Sequence, residues 1–208
     1  MKKIDIDNWD RKEVFKFFSE TSKPFYMTTF RLDVTDLFNY AKRRGISFYY
    51  SMVWCVSRAV NSVENFRYCI KNGEICLLDK RTPSFTDMKK GSEVFHIITL
   101  DDGDDMEGFC SAAAEKNEAQ DCFIDYGAES DDLIYISSLP WFDMTALTNE
   151  AIEDPDDNVP RITWGRAVSE NGRMMLGISF EVNHRFVDGI HFKKFTDEFL
   201  RITEGLKI

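Results

Sequence analysis

Leu176-Gly177-Ile178-Ser179-Phe180-Glu181-Val182 runs directly into Asn183-His184-Arg185-Phe186-Val187-Asp188-Gly189, and the reading of this stretch decides the fold. Its first half mixes β-branched and aromatic residues and predicts a strand. Beyond Gly189, Phe192, Phe195 and Phe199 recur at helical spacing, so a helix follows, with its aromatic face turned inward. The connecting loop sets His184 at a strand end, where functional groups are often placed. Asp188 stands where it can cap the new helix. On the residues alone, a structural His184 and a capping Asp188 are the favoured readings, with catalysis by His184 as the alternative.

Outward from this stretch, strands and helices continue to mix. Arg161–Ser169 and Arg173–Val182 predict a hairpin about Asn171-Gly172. Val14, Phe15 and Phe18 mark an amphipathic helix over residues 9–20, and residues 25–33 predict a strand. Thr35 and Asp36 open a helix that Gly45 closes. Ser47 can cap the next one, which is apolar nearly all round through Val60 and so predicts a buried central helix. A hairpin about Asn72-Gly73 sets Cys69 opposite Cys76 and predicts two buried thiols on one sheet face. Strands are expected near 84–88 and 93–100, over Leu133–Ser137, and again from Pro140-Trp141-Phe142. Asp101–Asp105 reads as a solvated acidic turn before a helix that ends near Gln120, and Glu153–Asp157 reads as a loop. No repeat or linker divides the chain. The expectation is a single α/β domain over residues 1–208, built as a two-layer sandwich of a mixed β-sheet and helices.

Composition narrows the function classes. The formal net charge is −10, which disfavours nucleic acid and anionic membranes as partners. The 18 phenylalanines require burial in a core or a subunit interface. The five cysteines form no Cys-x-x-Cys pair and are odd in number, so neither a disulfide framework nor a zinc site is expected. No metal is expected elsewhere. Charged and polar residues follow Met1-Lys2-Lys3 where a signal peptide would be apolar, and no apolar run is long enough to span a bilayer. A cytoplasmic protein is the expectation.

The His184-x-x-x-Asp188-Gly189 pattern resembles the active-site motif of the chloramphenicol acetyltransferases, within the wider coenzyme-A-dependent acyltransferase superfamily. The likeness extends over the chain from about residue 7 to the C-terminus. Asn8-Trp9-Asp10-Arg11-Lys12-Glu13, Phe48-Tyr49, Phe66-Arg67 with Ile70-Lys71, Leu139-Pro140-Trp141 and Pro160-Arg161-Ile162-Thr163 are each similar to a family element, in the family's order.

The resemblance implies a specific chemistry. His184 would take the proton of an acceptor hydroxyl, which attacks the thioester of acetyl-CoA without an acyl-enzyme. Asp188 would pair with Arg11 and hold the loop, and Thr163 would hold a water near the tetrahedral intermediate. Phe18, Tyr26, Thr145 and Ala146 would line the substrate site, and Ser47, Tyr49 and Arg166 the coenzyme site. The family forms homotrimers with active sites between subunits, and its acceptors are small molecules with a hydroxyl group.

This sequence also departs from the pattern. Asn183 replaces a histidine, and Phe18 stands where many members have a tyrosine. Ser47 replaces a lysine that reaches the coenzyme's phosphate, whereas Arg166 keeps a second basic position there. Ala146 replaces the serine that stabilises the oxyanion. Three readings follow: a chloramphenicol O-acetyltransferase, the same scaffold with another acceptor, or a degenerate, slow protein that still binds coenzyme A.

Overall fold

The computed structural model describes residues 1–130, 132–150 and 154–206. Its strands are β1 (Lys2–Lys3), β2 (Phe25–Asp33), β3 (Tyr68–Lys71), β4 (Glu74–Leu77), β5 (Thr82–Met88), β6 (Phe95–Thr99), β7 (Leu133–Leu139), β8 (Arg161–Gly165), β9 (Val168–Glu170) and β10 (Arg173–Asn183). Its α-helices are α1 (Lys12–Ser19), α2 (Thr35–Arg44), α3 (Phe48–Ser62), α4 (Met106–Ala119) and α5 (Gly189–Glu204). The main sheet runs β2-β10-β8-β7-β5-β6, with β9 paired to β10. Pairs β5–β7 and β7–β8 are parallel and the others antiparallel, so the sheet is mixed. A small second sheet, β1-β4-β3, flanks it.

The two faces of the main sheet differ in chemistry because side chains alternate along each strand. One face carries Ile178, Phe180 and Val182 of β10, Ile162 and Trp164 of β8, Ile136 of β7 and Phe85 of β5. These pack with Met52, Val53 and Val56 of α3 and Phe192, Phe195 and Phe199 of α5 into one core. The other face carries a row of hydroxyls. Thr29, Ser179, Thr163, Ser137 and Thr86 lie side by side on five adjacent strands. Thr29 Oγ1 donates to Ser179 Oγ at 3.1 Å, and the Thr86 and Ser137 hydroxyls meet at 3.0 Å.

Most local expectations are met. Gly45 ends α2 in the left-handed region at φ 67°. The Ser47 hydroxyl caps α3 by accepting the Tyr50 N–H. Cys69 and Cys76 are in direct register, buried and free. α1 is shorter than the expected 9–20 because Ile6–Asn8 forms its own 3-10 turn, closed by the Trp9 N–H on the Ile6 carbonyl.

Two expectations are corrected. No strand begins at Pro140-Trp141-Phe142. β7 instead runs on to Leu139, and the Phe142 N–H closes a turn on the Leu139 carbonyl at 3.2 Å. The acidic turn is not wholly solvated, since Asp102 is buried. The Trp54 indole donates to its carbonyl at 2.8 Å, and Lys80 forms an ion pair with its carboxylate. Of the expected loop 153–157, Glu153 lies outside the described residues.

Candidate active site

β10 delivers the candidate base. Its last residue, Asn183, pairs with Phe25 of β2, and the next N–H, that of His184, donates to the Pro24 carbonyl at 2.7 Å. The backbone of His184 is therefore an extension of the sheet. Its imidazole stacks on two rings, Phe18 of α1 at 4.0 Å and Tyr26 of β2 at 4.4 Å between centroids. Two of the four expected substrate-site residues thus meet His184 directly, and its side chain remains 26% exposed.

The ring's orientation follows from its hydrogen bonds. Nδ1 lies 2.9 Å from the Val187 carbonyl and 3.3 Å from Asp188 Oδ1. Both oxygens are acceptors at neutral pH, so Nδ1 carries the proton and the lone pair is on Nε2. This is the tautomer that a base using Nε2 requires.

Arg11 ties the loop together. Its two terminal nitrogens reach both Asp188 oxygens at 2.6 Å, Nε donates to the Arg185 carbonyl at 2.7 Å, and Nη2 to the His184 carbonyl at 3.1 Å. The hydrogen bonds from Arg11 hold the Asp188 carboxyl below its ordinary range, against a smaller opposing effect of burial. Asp188 occupies the N-cap of α5, but its carboxylate faces Arg11. Asp188 and His191 also form a reciprocal capping box at the helix start, in which the backbone of Asp188 takes part. The Asp188 N–H donates to His191 Nδ1 at 2.8 Å, and the His191 N–H to the Asp188 carbonyl at 2.9 Å.

Asn183 has a structural explanation. Buried beside His184, its amide nitrogen donates to the carbonyls of Pro155 and Asp157, each at 2.9 Å. Its oxygen accepts from the Arg185 N–H and Nε, each at 3.1 Å. The amide offers two N–H donors beside its oxygen and so meets both carbonyls while accepting from Arg185, whereas a neutral imidazole has only one donor and one acceptor.

Residues 142–149 cross the hydroxyl-bearing face of the sheet. Met144 lies on Gly165 and Gly177. A Cβ at Gly165 would meet Met144 Cβ at 2.6 Å, and one at Gly177 would overlap the Met144 carbonyl oxygen. Farther along, the Leu147 carbonyl accepts from Ser179 Oγ at 2.8 Å, and Asn149 Oδ1 from Thr163 Oγ1 at 2.9 Å. The Asn149 N–H donates to Glu181 at 3.3 Å, and burial raises the Glu181 carboxyl's pKa. Thr145 and Ala146 are both exposed on this segment. Because they do not lie on a strand, alternation does not decide which of them faces the acceptor.

The expected coenzyme residues are less alike. Arg166 is exposed where β8 breaks before β9, its N–H held at 2.6 Å by the Phe142 carbonyl. Ser47 is the cap of α3. The Tyr49 hydroxyl donates to the Thr86 carbonyl at 2.5 Å, and its ring packs against Phe85 and Trp164. Among the described residues no group of side chains could hold a metal ion, and no helix is long and apolar enough to cross a membrane.

The residue-level reading did not single out His191, Asn149 or Glu181. For His191 a signal was present, since it is the third helical residue after an Asp N-cap, where capping-box partners occur. For the other two none was, because their contacts join remote segments.

Comparison with known proteins accords with this geometry. A sequence model of the family described as chloramphenicol acetyltransferase matches residues 1–200. Chloramphenicol acetyltransferase 2 of Escherichia coli is 29% identical over 197 residues, covering 93% of this chain and 92% of that protein. The chloramphenicol acetyltransferase of Clostridium butyricum is 28% identical over 199 residues, covering 94% and 91%. A solved chloramphenicol acetyltransferase superposes with a TM-score of 0.89 at 28% identity, over 100% of both chains. The dihydrolipoamide acetyltransferase of Azotobacter vinelandii, at 19% identity and a TM-score of 0.65 over 93% of this chain and 85% of that one, shares the fold.

Proposed function

The chain belongs to the chloramphenicol acetyltransferase family, and we propose that His184 is the general base with which it moves acetyl from acetyl-CoA to a hydroxyl of chloramphenicol or a similar small molecule. The observation that carries this role is the bond from His184 Nδ1 to the Val187 carbonyl, which leaves the Nε2 lone pair available. A neutral imidazole with a free Nε2 can accept a proton from a hydroxyl held in hydrogen-bond reach.

The reaction then balances simply. Nε2 takes the acceptor's hydroxyl proton as its oxygen bonds to the thioester carbon. The tetrahedral oxyanion collapses, the C–S bond breaks, and the sulfur of coenzyme A recovers the proton from Nε2. Thr163, having donated its own proton to Asn149, keeps lone pairs with which to hold a water. Phe18 and Tyr26 fix the plane of the base and begin the acceptor site. Arg166 is the cation suited to a coenzyme phosphate.

Residues 1–208 act as one acetyltransferase domain, supported by strands from both ends of the chain meeting at β2–β10. The active assembly is a homotrimer with sites between subunits. Phe17, Trp141 and Phe142 are exposed apolar rings on the single chain, which supports that assembly. The protein acts in the cytoplasm.

A second reading, the same chemistry on a different acceptor, is favoured by Phe18, which gives the site an apolar ring without a hydroxyl. Coenzyme A release by the purified protein, with and without chloramphenicol, tests both. Chloramphenicol-dependent release supports the first reading, and release only with other acceptors supports the second. Tight coenzyme binding without turnover overturns both.

A further inference from the structure

The peptide unit joining Val187 to Asp188 is held at both edges by imidazole. Its carbonyl accepts from His184 Nδ1 at 2.9 Å, and its N–H donates to His191 Nδ1 at 2.8 Å. We propose that His191 is a positioning residue for the base, fixing through this one peptide plane the carbonyl that orients His184. The inference rests on the reading of His184 as general base.

The peptide unit is rigid. Its C=O and N–H are coplanar and cannot rotate independently. An acceptor that fixes the direction of the N–H therefore fixes the direction of the C=O. Polarisation runs the same way, because a peptide whose N–H is engaged is a stronger acceptor at its oxygen. His191 is itself well fixed. It is 6% exposed, lies in the first turn of α5, and returns its own N–H to the Asp188 carbonyl.

The arrangement demands opposite tautomers of the two histidines. His184 carries its proton on Nδ1, and His191 must leave Nδ1 bare and carry its proton on Nε2. An imidazolium has no acceptor, so His191 can serve only while neutral. Its surroundings keep it so. Burial pushes its pKa down to about 4, with Arg11 and then Lys194 acting in the same direction and Asp188 opposing them.

A purely structural reading also exists, in which His191 merely caps α5. The two readings differ in what a substitution changes. In His191→Asn, Oδ1 stands where Nδ1 stood and can accept the same N–H. In His191→Leu a methyl group stands there. The measurement is kcat and KM for acetyl-CoA in both variants, with Phe199→Leu as a control that loosens the same helix elsewhere. His191→Leu is expected to lose about tenfold or more in kcat with KM changed less than about twofold. His191→Asn should recover most of that loss, and Phe199→Leu should keep wild-type kcat well below its melting temperature. Wild-type kcat in His191→Leu overturns the proposal, as do Leu and Asn variants that are equally slow. His184→Ala, measured alongside, separates the two readings. Retained turnover there defeats the base assignment, whereas an inactive His184→Ala beside a fully active His191→Leu defeats only the present inference. Nitrogen NMR of the wild-type imidazoles tests the proposal should His191→Leu fail to fold. A bare Nδ1 on His191 with a protonated Nδ1 on His184 supports it, and a protonated Nδ1 on His191 at neutral pH overturns it.

Discussion

Arg11 and Asp188 meet edge to edge, with two guanidinium nitrogens on two carboxylate oxygens at 2.6 Å each. The same guanidinium also holds the carbonyls of His184 and Arg185. An arginine can do this because its planar fork presents five donors in a fixed geometry.

Breaking either partner should therefore cost stability and loosen the loop. Arg11 is 10% exposed, but Asp188 is 35% exposed, so water screens part of the pair. The expected loss for Asp188→Asn or Arg11→Ala is about 2 kcal/mol, below the ~3–5 of a fully buried pair. Activity should fall with it. In a double-mutant cycle by urea denaturation, the double variant should lose less than the sum of the singles. Strict additivity would count against coupling.

His184→Gln should abolish acetyl transfer while the melting temperature hardly moves. The ring is partly exposed, and its backbone bond to Pro24 survives the substitution. Turnover on the best acceptor and a thermal melt are the two measurements. A variant that kept wild-type turnover would exclude His184 as the base.

Ala146 and Thr145 give the third test. A hydroxyl donor aimed at the developing oxyanion acts on the transition state more than on bound acetyl-CoA. If Ala146 faces the intermediate, Ala146→Ser should raise turnover by about tenfold, less than the ~10²–10³ lost when such a donor is removed from an enzyme built around it. KM for acetyl-CoA should stay put. If Thr145 already supplies the hydroxyl, Thr145→Val is the damaging change and Ala146→Ser does little. Unchanged turnover in both variants would mean that neither side chain reaches the intermediate.

The pH dependence of stability gives the fourth. His191 titrates at about 4 in the fold and near ~6.5 when unfolded. Between those values the unfolded chain binds more protons, so stability declines as pH falls from 6.5 toward 4. At ~1.36 kcal/mol per unit, this one group contributes at most about 3 kcal/mol of that decline. His191→Asn removes it, so melting temperatures of the variant between pH 7 and pH 4.5 should fall less steeply than those of the wild type. Parallel curves would refute the depressed titration.

The fifth concerns assembly. Phe17, Trp141 and Phe142 are 67%, 57% and 63% exposed on the chain, apolar ring surface that packing between subunits would remove from water. Sedimentation at micromolar concentration should give a trimer. A monomer with full activity would reject that assembly.

Legibility varied with the range of the interactions. Both Asn-Gly turns were readable because the signal is local. Asn72 and Asn171 adopt φ of 54° and 49°, and Gly73 and Gly172 follow at 74° and 81°, as a two-residue hairpin turn requires. The phenylalanines of α5 were readable from their spacing. The course of residues 140–149 was not. Pro140-Trp141-Phe142 has strand-like residues, but its path is set by two glycines lying 21 and 33 residues beyond Met144 in the chain. Asp102 looked solvated for a similar reason, since Trp54 and Lys80, which bury it, come from distant segments. At the active site, His184, Asp188 and Arg11 were identified through the family resemblance, because a lone histidine at a strand end says little about its partners.

The seat of Met144 on Gly165 and Gly177 has an evolutionary consequence. The height of this segment above the sheet is set by main chain resting on main chain, without help from the side chains of Thr145 or Ala146. Those two positions can therefore exchange residues while the trace beneath them stays in place. Should one of them face the intermediate, catalytic power could be lost there by one substitution and regained by another, with no change in foldability to be selected against. The constraint is displaced onto the glycines, where any side chain would collide with the strap, so an inventory of tolerated mutations should be permissive at 145 and 146 and nearly closed at 165 and 177.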